Sequence, residues 1–196
     1  MAPDEGKPTL EFANTLHPIA LWKTLLYIGV HPYTFGRWNG HYFLEHINAN
    51  ENKIEIDIVE MRQKNIDVSK AFEVVNKYNI NYICARIEDY LKSSVKKYDC
   101  IIWWHGPEHL PKEESLKVIM GLEDHCNGII IMGCPCGEDP YDAGYDKHYW
   151  VITDKDFADI GYQTLILNRL DRGNPVPAVS AFKKVSNIIY EQGSYY

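Results

Sequence analysis

The sequence predicts a doubly wound α/β domain whose mostly parallel sheet ends in an antiparallel strand. Three observations carry this. Short apolar runs recur at 24–30, 53–61, 82–85, 98–104 and 128–134, with helix-like segments between most of them. Several runs end on glycine or on polar residues, the usual place for a ligand at the carboxyl end of a strand. The last two runs, 162–168 and 176–184, are joined by RLDRGNP, which is too short for a crossover helix and forces antiparallel pairing.

The 196 residues suit one domain, and 45% hydrophobic with 24% charged residues describes a packed core. A formal net charge of −7, with no Lys/Arg run, argues against nucleic acid as a partner. Five cysteines, an odd number, give no disulfide framework. Cys134 and Cys136 have one residue between them, closer than zinc pairs usually stand, so no metal site is expected. The opening MAPDEGKPTLEF has no apolar signal core, and GIIIMG is far too short to span a bilayer. A cytoplasmic protein without membrane attachment is the expectation.

In chain order, residues 1–23 read as an N-terminal segment with a cap helix, 24–185 as the domain and 186–196 as a tail. The first strand, TLLYIGV, stops at Gly29, which allows a sharp turn and a close backbone approach by a ligand. The next glycine is Gly36, and His31, Pro32, Tyr33 and Phe35 fill the loop between them. That loop is too bulky for a tight pyrophosphate cradle and suits a wider aromatic wall. A short helix over 39–48 follows. The second strand, KIEIDIVEM, ends at Glu60 and Met61; a carboxylate there can accept from both hydroxyls of a ribose.

A helix over 62–78 places Val68, Ala71, Phe72 and Val75 on one face. After the third strand, RIEDYL puts Ile87, Glu88 and Asp89 at the sheet rim, where an apolar side chain beside carboxylates can frame an adenine. The fourth strand, YDCIIWW, sends Trp103 and Trp104 to opposite faces and opens into HGPEHLPKEE. A helix over 111–125 and the fifth strand follow. Thr153 and Asp156 form a capping-box pattern for a helix over 153–160, which Gly161 stops.

Over about residues 20–185 the chain resembles the class I S-adenosylmethionine-dependent methyltransferases of small, single-domain type. The resemblance rests on LYIGV with Gly29, IDIVEM with Glu60, ARIEDYL with Glu88 and Asp89, and YDCIIWWHGPEHLPKE with Asp99 and the Glu108-His109 pair. The segment from CPCG to DFADIGYQ is also similar to the region after the fifth strand of those enzymes. It departs at the reduced glycine loop and at Arg86, where the family often has Asp.

The resemblance implies a Rossmann-like fold and S-adenosyl-L-methionine as cofactor. Its contacts would be the Gly29 loop with His31, Glu60 and Met61 at the ribose, Ile87, Glu88 and Asp89 around adenine, and Trp104. Methyl transfer needs in-line positioning, and a base only where the acceptor must lose a proton. His105, Glu108 and His109 at the fourth strand's mouth, with His148 from the following loop, are the candidate catalytic residues, His105 or His148 as base. Each also has a plain structural use. Tyr33, Phe35, Tyr141, Tyr145, Tyr149 and Trp150 supply aromatic surface around the opening.

The implied acceptor is a small molecule, glycan or protein, and the implied state a monomer or homodimer. A nicotinamide oxidoreductase would need GxGxxG or a Tyr-x-x-x-Lys pair, and the chain has neither. A methyltransferase-like binding protein or non-catalytic subunit is the remaining alternative.

Overall fold

The computed structural model describes residues 6–30, 39–47, 49, 51–71, 78–137, 147–171 and 174–185. Its elements run α1 (Gly6–Leu16), β1 (Thr24–Ile28), α2 (Asn39–His46), β2 (Glu55–Glu60), α3 (Gln63–Lys70), β3 (Ile80–Cys84) and α4 (Ile87–Ser93). They continue with β4 (Tyr98–Trp104), α5 (Lys112–Glu123), β5 (Cys126–Pro135), α6 (Asp154–Ala158), β6 (Gln163–Asp171) and β7 (Asn174–Lys184).

The seven strands form one sheet in the order β3-β2-β1-β4-β5-β7-β6. The first five pair in parallel, and β7 inserts antiparallel between β5 and β6. The strand order reverses at β1 and β4, which opens a crevice beyond their carboxyl ends.

Alternation along each strand builds two cores. Leu25 and Tyr27, Ile56 and Ile58, Ile102 and Trp104 face α1 and α2, whose Leu10, Ala13, Phe43 and Leu44 are buried with them, as is Ile47 just after α2. Leu26 and Ile28, Val59, Ile101 and Trp103 face the opposite side, where Tyr90, Ile119, Leu122 and Phe157 cover them. Burial on both faces explains why these strands read as near-continuous apolar runs.

The β4 span and the β6/β7 hairpin match the sequence reading, and the two tryptophans do take opposite faces. Most other boundaries shift by a few residues, and three of the differences have a visible cause. β1 ends at Ile28: the Gly29 amide still donates to the Val59 carbonyl at 2.8 Å, but its φ of +83 turns the chain out of the strand. β5 starts at Cys126, paired to Tyr98 across an irregularity in the β4 register. Residues 87–89, expected as a rim, open helix α4, with Glu88 and Asp89 in its first turn, where negative charge suits a helix start. Of the helix expected over 62–78, α3 is described to Lys70, and Phe72 and Val75 lie outside the described residues.

Asp99, which the resemblance matched at the start of the fourth strand, lies at the opposite end of the sheet from the crevice. Its Oδ2 accepts from the backbone amides of Lys23 and Thr24 at 2.7 and 2.9 Å, and from the Thr24 hydroxyl at 3.1 Å. It clamps the entry into β1.

Candidate functional site

Gly29 has φ +83, and a Cβ built there would meet nothing within 4 Å among the described residues. None of the described residues therefore packs against that side of the turn, and glycine removes the strain of a left-handed conformation. His31, Tyr33, Phe35 and Gly36 lie outside the described residues.

Glu60, 7% exposed, closes the turn from the neighbouring strand. Its Oε2 accepts from the Val30 amide at 2.8 Å, while Oε1 accepts from the Arg62 amide at 2.8 Å and from Asn65 Nδ2 at 3.1 Å. A carboxylate offers about four lone-pair sites, so three bonds leave room for about one more donor. Asn65 was not anticipated. It lies on the first turn of α3, and only its closeness to Glu60 in sequence could have suggested it. Met61, beside Glu60, is 54% exposed at the rim.

Where the resemblance would put the adenine, Ile87 is buried in the second core. Glu88 is taken up by Arg86, whose Nη2 donates to Oε1 at 2.6 Å. The Glu88 carboxyl is pulled below its ordinary value: burial opposes this, but the hydrogen bond and charge of Arg86 prevail. Asp89 is more exposed, and the Lys92 ammonium stands 3.9 Å from it.

The histidine–carboxylate group is assembled by the end of β4. His105 sits at φ +52, an uncommon conformation for a residue with a side chain, while its amide still donates to the Gly133 carbonyl at 2.7 Å. Two glycines make the packing here possible. A Cβ on Gly106 would fall 1.7 Å from the Trp103 indole nitrogen, and one on Gly133 would fall 2.2 Å from the Trp104 ring. Trp104 is thus wedged between Gly133 and Phe43, whose ring meets it edge-on at 4.9 Å. At 6% exposure it is mainly a wall.

A 3-10 turn at Pro107–His109 then brings Glu108 inward, where it is 2% exposed. His105 Nδ1 is 3.2 Å from Glu108 Oε1. Burial works against ionisation of Glu108, but the hydrogen bond and charge of His105, and the charge of His109, hold its carboxyl below the ordinary value.

Residues 147–150 dock on the same turn. The Tyr149 amide donates to the Glu108 carbonyl at 2.9 Å, the Trp150 indole donates to the Pro107 carbonyl at 3.1 Å, and His109 Nδ1 lies 3.0 Å from the Lys147 carbonyl. His148 arrives buried, its ring 5.0 Å from that of His109. The four residues singled out in the sequence, His105, Glu108, His109 and His148, are therefore neighbours. The Lys147 carbonyl was not anticipated, since a backbone acceptor leaves no side-chain signal. Tyr141 and Tyr145 lie outside the described residues.

No helix among the described residues is long and apolar enough to cross a membrane. No family model matches the chain, and no curated protein matches it by sequence. Solved structures do match. The bifunctional kinase-methyltransferase WbdD is 18% identical with a TM-score of 0.58, and the alignment covers 93% of this chain and 38% of that one. The N-terminal domain of EvdMO1, crystallised in the presence of S-adenosylhomocysteine (SAH) and D-fucose, is 11% identical with a TM-score of 0.64, over 93% and 83% of the two chains. Magnesium protoporphyrin IX methyltransferase (ChlM) from Synechocystis PCC 6803, with bound S-adenosylmethionine, is 14% identical with a TM-score of 0.56, over 92% and 80%. The chain thus spans little more than a third of WbdD and most of the other two. Strand order, the antiparallel β7 and these neighbours together give the chain the class I methyltransferase fold.

Proposed function

We infer that the protein is an S-adenosylmethionine-dependent methyltransferase acting on a small-molecule, glycan or protein acceptor. The observation that supports this best is the pairing of Gly29 and Glu60 at the mouth of β1 and β2, at the point where the strand order reverses. Two structural neighbours were crystallised with the cofactor or its demethylated product, one of them in the presence of a sugar.

In this reading the Gly29 turn receives the methionine part, Glu60 spends its remaining acceptor site on a ribose hydroxyl, and Met61 and Ile87 border the adenine. Trp104 walls the crevice. His105, oriented by the buried Glu108, is the base for a hydroxyl acceptor, because its imidazole is the more exposed member of that pair at 23% against 2%. Residues 24–185 form the catalytic unit, with α1 as its cap.

One observation favours the non-catalytic alternative: Arg86 engages Glu88, a carboxylate that the resemblance assigns to adenine. Incubation with methyl-tritiated S-adenosylmethionine and pools of sugars, phenols and peptides separates the two. Transfer that falls at least ~100-fold in His105→Ala, at the low end of general-base contributions, supports the enzyme. Cofactor binding without transfer to any pool supports the binding protein.

A further inference from the structure

Glu108, His109 and His148 each offer one ligand atom, and these atoms lie within 4.8 Å of one another. Tetrahedral ligands held at about 2.0–2.2 Å from a cation stand about 3.3–3.6 Å apart, so closure needs side-chain movement of about an ångström. Proximity alone would not distinguish a cation site from a hydrogen-bonded cluster. Two further features do.

The first is Glu108 Oε2, which is buried and receives no hydrogen bond among the described residues, while Oε1 already has His105. A buried carboxylate oxygen is costly to leave unsatisfied, and a cation is one way to satisfy it. The second is the position of His109. With Nδ1 3.0 Å from the Lys147 carbonyl, the proton of the neutral ring belongs on Nδ1, which leaves the Nε2 lone pair on the side of Glu108, 4.0 Å from its Oε1. A carbonyl holding the far nitrogen is how a metal-ligating histidine is usually oriented. The bonds from Tyr149 and Trp150 to the 3-10 turn hold the two chain segments in register.

We propose that Glu108, His109 and His148 bind one divalent first-row transition cation, with a coordination position left open towards the crevice. Two imidazoles and a carboxylate suit zinc, manganese or cobalt rather than magnesium or calcium. Cation binding stands on this geometry alone. Its role rests on the methyltransferase reading: at the open position the cation takes the acceptor's hydroxyl oxygen, lowers its pKa and orients it, and His105 removes the proton.

The test uses tag-free protein, stripped with chelator and titrated calorimetrically with zinc, manganese or cobalt chloride, and then separately with SAH. One cation per chain is expected, with affinity reduced at least ~10-fold in Glu108→Gln and in His148→Ala, as for weakened ligation, and unchanged in Cys134→Ser. Circular dichroism checks that each variant folds. The visible spectrum of cobalt-loaded wild-type protein needs no variant: intense bands of low-coordinate, histidine-ligated cobalt are expected. Absence of stoichiometric binding, a weak spectrum like that of aqueous cobalt, or affinity that survives both substitutions would overturn the cation site. SAH binding without cation binding removes the metal and keeps the methyltransferase reading; cation binding without SAH binding does the reverse.

Discussion

Glu60 Oε2 accepts the Val30 amide at 2.8 Å, so the carboxylate at the end of β2 holds the backbone just beyond the Gly29 turn. One side chain both shapes the loop and, in the proposed function, meets the ribose. Glu60→Gln, with one acceptor oxygen in place of two, can satisfy the buried Val30 amide or the part-buried Arg62 amide but not both. It should cost about 1.5–3 kcal/mol of stability, on the scale of hydrogen bonds to charged groups, and also weaken SAH binding. Glu60→Ala should weaken SAH binding by at least ~1 kcal/mol on the same scale. Urea denaturation with and without SAH separates the effects; unchanged SAH affinity would remove Glu60 from the cofactor site.

Gly29→Ala places a methyl group where none of the described residues stands within 4 Å, so no clash with them opposes it. The φ of +83 should still cost about 1 kcal/mol, as left-handed backbone does for a residue with Cβ. A bound cofactor would occupy that space. Thermal shift should show mild destabilisation together with loss of SAH binding, and retained binding would move the methionine part elsewhere.

Gly133→Ala drives its Cβ into the Trp104 ring, and the fit between β5 and α2 leaves the indole little room to move. A loss of about 1–3 kcal/mol is expected from such overpacking. Gly133→Ala combined with Trp104→Leu should cost less than the sum of the two single changes, because the smaller side chain relieves the contact. Additive losses in urea denaturation would show that the wedge is not tight.

Asp57 is buried under Lys96, whose Nζ lies 2.8 Å away, and accepts also from the Tyr98 hydroxyl and from Asn81. Burial opposes its ionisation, but the hydrogen bonds from Lys96, Tyr98 and Asn81 bring its pKa below the ordinary 3.8. A depressed carboxylate stabilises the fold above its unfolded value and loses that contribution as pH falls through the folded one. The difference in stability between the wild type and Asp57→Asn should therefore be constant above about pH 5 and shrink below the ordinary value of 3.8. Urea midpoints measured from pH 7 to pH 2.5 check this, and a difference independent of pH would contradict it.

The architecture was legible wherever burial on both faces wrote an apolar run into the chain, as in YDCIIWW, and wherever a linker was too short for a helix, as between β6 and β7. Seven-residue α4 was not: RIEDYL is too short for a helical period to declare itself. The site followed the same division. Glu60 and the His105, Glu108, His109 and His148 group were visible because their side chains are chemically distinctive. The amides of Val30 and Arg62 and the carbonyl of Lys147, which orient them, are backbone groups and carry no sequence signal. The pairing of Arg86 with Glu88 depends on rotamers that a sequence does not specify.

The central claim is that the crevice beyond β1 and β4 takes S-adenosylmethionine. Calorimetric titration with S-adenosylmethionine, SAH and NAD in parallel tests it most directly. Binding of the first two and not of NAD, reduced in both Glu60→Ala and Gly29→Ala, is the predicted result. Binding of NAD, or of none of the three, would contradict it.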